Sequence, residues 1–573
     1  MSQWGVRARP LPFLFLATLL SACDNRVPEP PPATSTTTTA EPAGPTVEIT
    51  LVGTSDLHGR LATLAPLGGY LNALRAKNPD GVLLVDAGDM FQGTLESNLN
   101  EGSAVIDAYK KLGYDAVAIG NHEFDYGPVG EAATVKKTAK DGPDKDARGA
   151  IKARAEQARG SFPLLAANML EEGHPIDWPN VAPSVMVTKK GVLVGVIGVT
   201  TMATPNTTIA ANVTGITMVP LADAITAQAK ALRDKGAKVI VVAAHAGGEC
   251  TKVDVPSDLS SCESNSEIFE VARKLPSGMV NAIVAGHTHK QIAHQVAGIP
   301  IIESGSWGAA YGRVDIVVDT ASGKVVKTKI HQPEKVTPGG EVEGTKTEPV
   351  KEVESTLAPA IEKGKALRAR SLKATLTGPF PAKYKDECAL GNLVSSLLLS
   401  LDPKADVAVS NGGGLRADLD PGPLTYGALY DVLPFDNRIA RLTMTGKALK
   451  ETVLRSMSGR TGILSLAGAR VEEGCDGDRP KVDLFLVKKG KGDKKVGDAD
   501  KLAIITNEFL ATKGDDFGPV EDVRVGDDDP PFRDPIAAAI EKKGGDLKPE
   551  DWLVPGKPRV ARTREKCGVS GKK

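Results

Sequence analysis

The chain has 573 residues, a formal net charge of -1 and 41% apolar residues. That length is too great for one ordinary domain, and that apolar share is enough for real cores. The near-zero charge excludes a global field toward nucleic acid or an anionic lipid surface, so any attraction for phosphate is local.

Residues 1–23 read as an export signal. Arg7 and Arg9 give a positive start, and Leu11 to Leu20 is an apolar run broken by one Pro. The run is shorter than the ~20 residues that span a bilayer. Leu20-Ser21-Ala22-Cys23 resembles a bacterial lipoprotein processing box. The resemblance implies that Cys23 is lipidated and becomes the mature N-terminus. The chain is therefore expected to be exported and anchored to a bacterial membrane by lipid, facing the periplasm or the exterior. Residues 24–46, rich in Pro, Thr, Ala and Glu without apolar periodicity, read as a disordered tether. No other segment is long and apolar enough to cross a membrane.

Residues 47–335 alternate apolar strand-like runs with helical stretches, which argues an α/β domain. Lys136 to Arg159 is very polar, and its later part, Ala150 to Arg159, reads as an amphipathic helix. Five apolar runs end in residues that ligate metals. Val47 to Thr54 leads into Ser55-Asp56-Leu57-His58-Gly59, and Val82 to Val85 into Asp86-Ala87-Gly88-Asp89. Ala116 to Ile119 leads into Gly120-Asn121-His122-Glu123-Phe124-Asp125. Val239 to Val242 leads through two alanines to His245, and Ala282 to Ala285 into Gly286-His287-Thr288-His289. Open α/β sheets build sites beyond the carboxyl ends of their strands, so these dispersed residues are expected to meet. Five of the 8 histidines lie in the clusters; His174, His294 and His331 do not and read as surface or structural.

This mixture suits a two-metal hydrolytic site. Two divalent ions roughly 3.5–4 Å apart clamp the attacking and leaving oxygens of an in-line displacement and activate water. A carboxylate bridges them, while neutral imidazoles and an amide complete the shells without excess negative charge. Mixed His, Asp and Asn ligands suit Zn, Mn, Co or Fe better than Ca.

Asp-x-His, Gly-Asp, Gly-Asn-His-Glu and Gly-His-Thr-His, in this order, resemble the calcineurin-like metallophosphoesterase superfamily. The resemblance implies a four-layer α/β/β/α sandwich. It places Asp56, His58, Asp89 and His289 around one metal and Asp89, Asn121, His245 and His287 around the other, with Asp89 bridging. His122 would donate a hydrogen bond to the phosphoryl group, with Asp125 orienting its ring.

Residues 336–370 read as a linker, Pro/Gly-rich and charged from Glu334 to Thr347, followed by a connecting helix from Val350 to Arg370. Residues 371–562 form a second domain, and 563–573 a tail. The Lys/Gly run Lys488 to Lys495 reads as a solvated hairpin. Five Cys follow Cys23: Cys250 and Cys262 are spaced to close a small loop, and Cys475 with Cys567 is a further candidate pair. The odd count leaves one thiol free or paired with another chain.

Glu387 to Leu393, Asn411-Gly-Gly-Gly-Leu-Arg416, Leu433-Pro-Phe-Asp-Asn437 and Gly514-Asp-Asp-Phe517 resemble the C-terminal domain of the 5'-nucleotidase family, including its periplasmic UDP-sugar hydrolase and ecto-5'-nucleotidase branches. The resemblance implies a second α/β (α+β) domain that binds substrate. It implies two rings, Phe435 and Phe517, that sandwich the base, and contacts from Asn411, Gly413, Arg416 and Asn437. Close relatives carry arginine upstream of Gly-Asn-Leu, where this chain has Lys383-Tyr384-Lys385-Asp386. The expected activity is metal-dependent hydrolysis of nucleoside 5'-monophosphates. A 2',3'-cyclic-nucleotide phosphodiesterase, a UDP-sugar hydrolase, a thiosulfate-processing hydrolase and a nucleotide-binding lipoprotein are the competing readings. The expected partners are a nucleotide and a membrane; no nucleic-acid polymer is expected, and the sequence identifies no protein partner.

Overall fold

The computed structural model describes residues 44–130, 146–458, 461–488, 491–526, 530–562 and 567. The export signal, Cys23, most of the tether, residues 136–145 of the polar segment, residues 489–490 of the Lys488 to Lys495 run and most of the tail lie outside the described residues.

In the first domain, strands buried on both faces build two stacked sheets. One sheet runs in the order Val325–Lys335, Ala310–Asp319, Thr46–Thr54, Val82–Asp86, Ala116–Ala118, Leu164–Leu165, Val181–Ala182. From Thr46–Thr54 onward its strands are parallel, and the first two are antiparallel additions. The second sheet runs Gln291–Val296, Ile299–Ser304, Ala282–Ala285, Val239–His245, Val192–Thr200, Ser184–Lys189, parallel in its middle four strands. Ile49, Leu51, Leu83 and Val85 of one sheet meet Val194, Val196, Val239 and Val241 of the other in one apolar core. Such strands, apolar on both faces, are what a doubly covered parallel sheet requires. Helices Leu64–Lys77, Ser103–Leu112 and Gly149–Ala158 cover the outer face of the first sheet, and Leu221–Asp234 and Glu267–Lys274 that of the second. The result is four layers, α/β/β/α.

The stretch read as a linker is packed onto this domain. Its strand continues to Lys335, a short hairpin pairs Glu341–Val342 with Thr345–Lys346, and Val342 is buried. The connecting helix is Lys351–Arg368, and Val353, Leu357 and Ala360 join the first domain's core. Apolar residues at helical spacing make it a docked element instead of a free spacer.

In the second domain a mixed sheet runs Leu464–Ala467, Val407–Asn411, Lys501–Asn507, Ile439–Thr445, Glu521–Val525. Helices Ala389–Ser400, Tyr426–Val432 and Arg533–Lys543 pack on one face, and helix Gly446–Met457 with the hairpin Ala469–Asp476/Arg479–Lys488 on the other. Cys250 is bonded to Cys262 and Cys475 to Cys567, leaving Cys388 as a buried thiol. Among the described residues no helix is long and apolar enough to cross a membrane.

Candidate metal centre and substrate cavity

The five ligand-bearing segments all leave their strands at the same edge of the two sheets. Asp56, His58, Asp89, His287 and His289 have positive φ, between 49° and 82°. That region costs non-glycine residues roughly 1–2 kcal/mol each, a cost met where surrounding contacts over-determine the backbone. Those contacts are present: the N–H groups of Asp56 and His58 donate to the carbonyls of Gly88 and Asp89, each at 2.9 Å. Gly88 is needed for close approach, since a Cβ there would lie 2.7 Å from the Gly120 nitrogen. Glu123 ties the loops together by accepting from the N–H groups of Asp89, Met90 and Gly120 at 2.7–2.8 Å.

The donor atoms fall into two groups. Those of Asp56, His58 and His289 lie within 4.8 Å of one another, as do those of Asp89, His245 and His287. Asp89 Oδ2 stands between the groups, 3.1 Å from His245 Nε2 and 3.8 Å from His58 Nε2. Asn121 Oδ1 lies 3.0 Å from His245 Nε2.

Hydrogen bonding tests whether these residues fit metal. His58 Nδ1 donates to the Gln92 carbonyl at 2.8 Å and His245 Nδ1 to the Ala87 carbonyl at 2.9 Å. Each ring thereby turns Nε2 toward the site, the arrangement seen in metal-binding histidines. His58 Nε2 faces His289 Nε2 at 2.9 Å. Arg416 Nη2, a pure donor, sits 3.1 and 3.3 Å from the two nitrogens, so both act as acceptors there. At the other group, His245 Nε2 converges with two acceptors, Asp89 Oδ2 and Asn121 Oδ1, on one point. Burial lowers the basicity of His58, His287 and His289, His287 to about 3, and so holds these rings neutral as ligands. Burial also works against charge on His245, yet Asp89 raises it to about 10. That point therefore favours a positive charge, and the donor set fits divalent cations.

His122 is built differently. Its Nδ1 bonds Asp125 Oδ2 at 2.6 Å, and Thr208 Oγ1 donates to Asp125 Oδ1 at 2.8 Å. Burial opposes a charged ring, but Asp125 and Asp89 outweigh it and raise the His122 pKa.

The second domain closes over this centre. A cavity of about 1070 Å³ is lined from the first domain by Asp89, Asn121, His122, Asp125, His287 and His289, and from the second by Asn411, Gly413, Arg416, Phe435 and Asn437. Phe435 stands 5.3 Å from the His122 ring, and the Arg416 guanidinium lies 5.8 Å from the Phe435 centroid. The two domains are joined beside the cavity by Arg368, which is paired bidentately with both Glu96 and Asp431.

Residues 49–291 match the model of the calcineurin-like phosphoesterases, and residues 371–522 that of the 5'-nucleotidase C-terminal domain. The chain belongs to the 5'-nucleotidase family. Members of this family are hydrolases of phosphoric esters whose phosphoesterase domain uses divalent metal. The chain is 26% identical to the cell wall protein Lmo0130 of Listeria monocytogenes over 84% of its own length and 65% of that protein. It is 27% identical to protein UshA of Escherichia coli over 82% of its own length and 86% of UshA. It spans only 31% and 33% of two longer Bacillus subtilis relatives. The 5'-nucleotidase precursor from Thermus thermophilus shares the fold, with a TM-score of 0.72 and 23% identity over 91% of this chain and 100% of that one.

In this nucleotidase-family chain one expected substrate contact is corrected. Phe517 is 1% exposed and packs in the core with Leu449, Leu464 and Leu510, away from the cavity. Phe509 lines the cavity in its place, with Phe532 nearby. The helix Glu508–Ala511 is capped by Asn507 and buries Leu510 and Ala511, which turns Phe509 outward. An aromatic beside an Asn cap, out of step with the buried pair that follows it, was the available signal. Asp515, inside the Gly514 to Phe517 motif, is a further cavity residue. It is held by Asn411 Nδ2 at 3.0 Å, and is raised to about 6 by burial. Lys383, Tyr384, Lys385 and Asp386 line the cavity too, but Lys385 is paired with Glu249 at 3.1 Å. His174 is exposed, His294 is buried against the Lys252 carbonyl, and His331 pairs with Asp315.

Proposed function

We propose that the protein hydrolyses nucleoside 5'-monophosphates to nucleoside and phosphate outside the cytoplasm. The observation that carries this reading is one cavity shared by a cluster of cation-seeking ligands and two aromatic rings, Phe435 and Phe509, from the second domain. Asp56, His58, Asp89 and His289 would hold one divalent ion of the Zn or Mn kind and Asp89, Asn121, His245 and His287 a second, which when bound clamp the reacting oxygens and make water a nucleophile near neutral pH. Arg416 offers its guanidinium to a phosphoryl oxygen, a charge-assisted contact stronger than a neutral one. His122, its Nδ1 side held by Asp125, presents Nε2–H to the same group, where a donor helps most as charge builds in the transition state. Water's oxygen joins phosphorus, the ester P–O bond breaks, and a proton passes to the departing 5' oxygen.

Phe435 and Phe509 stack the base, which tolerates any base because every base has a π-face. Asp515 accepts from the ribose hydroxyls, and Asn437 Oδ1, buried without a partner among the described residues, accepts from the base or sugar. The same reading keeps the chain at a membrane through lipidated Cys23, in keeping with two disulfides that export permits. The test is chelation followed by Mn or Zn addition, with AMP and a small aryl phosphate compared. Metal-restored, folded protein that cleaves aryl phosphate as well as AMP, or cleaves neither, refutes the assignment.

A further inference from the structure

A second group of metal-binding side chains lies outside the phosphoesterase centre. Cys250 and Cys262 face each other as an isolated antiparallel bridge, and their bond closes the loop between them. That loop lies on the edge strand Gln291–Val296: the Gln295 N–H donates to the Pro256 carbonyl at 2.8 Å, and His294 Nε2 donates to the Lys252 carbonyl at 2.9 Å. The His294 ring reaches both sulfurs, with one ligand atom from each of the three residues within 4.8 Å of the others. A carbonyl only accepts, so Nε2 carries hydrogen and is occupied; the neutral ring then has its lone pair on Nδ1. His294 is 1% exposed, and Nδ1 is buried with no partner among the described residues. Buried polar atoms are ordinarily paired, so a free ring nitrogen beside two sulfurs calls for a ligand.

Two thiolates and one imidazole are a donor set that selects Zn2+. Zn–S bonds of ~2.3 Å and Zn–N bonds of ~2.0–2.1 Å place the donors of a tetrahedral site roughly 3.5–4 Å apart. The three side chains already stand close to that spacing. A ring whose other N–H is held by a backbone carbonyl is the usual form of a metal-bound histidine. Cys262 is partly exposed, so the fourth position opens to water. The loop also matters to the cavity. Glu249 and Glu263 adjoin the two cysteines, and the Glu263 N–H donates to the Glu249 carbonyl at 2.9 Å. Both carboxylates line the cavity and face Lys385 of the second domain, at 3.1 and 3.9 Å. Whatever closes the loop therefore holds a contact between the domains.

We propose that Cys250, Cys262 and His294 form a separate thiolate zinc site once the disulfide is reduced. The loop is then closed by a sulfur–sulfur bond in oxidising surroundings and by zinc in reducing ones. A dithiol reductant supplies two electrons and two protons: its own sulfurs join as a disulfide, the Cys250–Cys262 bond breaks, and two thiols form. Zn2+ then binds both sulfurs and His294 Nδ1, and the two thiol protons pass to solvent. The site takes no part in phosphoester chemistry and stands whatever the substrate of the main centre.

The test titrates metal-stripped protein, oxidised or reduced, with Co2+ and then Zn2+ under argon. A sulfur-to-cobalt charge-transfer band requires a thiolate ligand, which the Asp/His/Asn centre lacks, so the band reads this site alone. The band is expected in reduced protein, absent from oxidised protein and erased when Zn2+ displaces Co2+. Cys262→Ser should abolish it, and Cys475→Ser, which breaks the other disulfide, should leave it. His294→Gln should weaken the affinity read from the band by about tenfold or more. Trypsin should cut after the exposed Lys252 faster in reduced, metal-free protein than in oxidised protein, and Zn2+ should restore protection. No band in reduced protein, a band that survives Cys262→Ser, or unchanged affinity in folded His294→Gln overturns the site. Equal cutting with and without Zn2+ overturns its closure of the loop. If His294→Gln does not fold, Cys262→Ser, at a partly exposed position, still decides the site.

Discussion

Phe509 and Phe517 flank one turn but face opposite ways, and exchanging each for alanine separates substrate binding from stability. Phe509→Ala removes a cavity-lining ring while Leu510 and Ala511 keep the short helix packed. Stacking on a base is worth ~1–3 kcal/mol. At ~1.4 kcal/mol per tenfold, KM for AMP rises roughly 5- to 150-fold. A small aryl phosphate, which has no base, changes by less than about threefold on the same scale. Phe517→Ala instead deletes a ring that is 1% exposed in the second domain's core. A buried Phe→Ala change costs ~3–5 kcal/mol. At ~2–4 °C per kcal/mol for a domain of this size class, Tm falls by about 6–20 °C. Its folded fraction keeps KM for AMP near wild type. Steady-state kinetics on both substrates and scanning calorimetry measure the two effects. A selective AMP defect in Phe517→Ala, or equal loss on AMP and aryl phosphate in Phe509→Ala, refutes the assignment of the rings.

Asp89→Asn weakens the carboxylate that stands 3.1 Å from His245 and 3.8 Å from His58, so elemental analysis should show loss of metal from both groups; retention of a full complement counts against bridging. His122→Ala should lower the chemical rate by about 10²–10⁴ with metal content near wild type, and loss of a metal equivalent would make it a ligand. Asp515, raised to about 6 chiefly by burial with Asp516 adding to it, is an ionised acceptor above that pH and a neutral acid below it. KM for AMP should therefore rise as pH falls through about 6, Asp515→Asn should flatten that rise, and an unchanged profile in the variant would free Asp515 from the role. Cys23→Ser should move the protein from the membrane fraction to the soluble one with specific activity kept; a variant that stays in the membrane fraction after a high-salt wash rules out the lipid anchor.

Much of the first domain was legible because its signals are local. Val82-Leu-Leu-Val85 is apolar on both faces, as a covered parallel strand must be, and the chain turns polar where that strand ends at Asp86. The strand Val239–His245 reaches its histidine through Ala243 and Ala244, small residues that keep the strand buried up to the ligand. The connecting helix was legible too, at Lys351–Arg368 against an expected Val350 to Arg370. Its role was not, because docking depends on Val353 and Leu357 finding helix Ser103–Leu112, a contact between segments distant in the chain.

The sequence by itself determined which residue types end the strands, and hence a chemistry of mixed nitrogen and oxygen ligands at one sheet edge. Strand direction and side-chain type are properties of neighbouring residues, and they survive without knowledge of the rest of the chain. Only the tertiary structure decided which aromatic faces the cavity. Phe509 and Phe517 lie in one polar stretch, and the choice falls to the Asn507 cap, the buried Leu510 and the close contact of Gly514 with the Phe509 ring. It also decided that Arg416 reaches the His58 and His289 nitrogens, that Lys385 is taken by Glu249, and that Trp307 stands open beside Arg60. Each of these pairs joins residues far apart in the chain, brought together by packing one domain on another or one loop on the next, and no local periodicity encodes which side chains then meet.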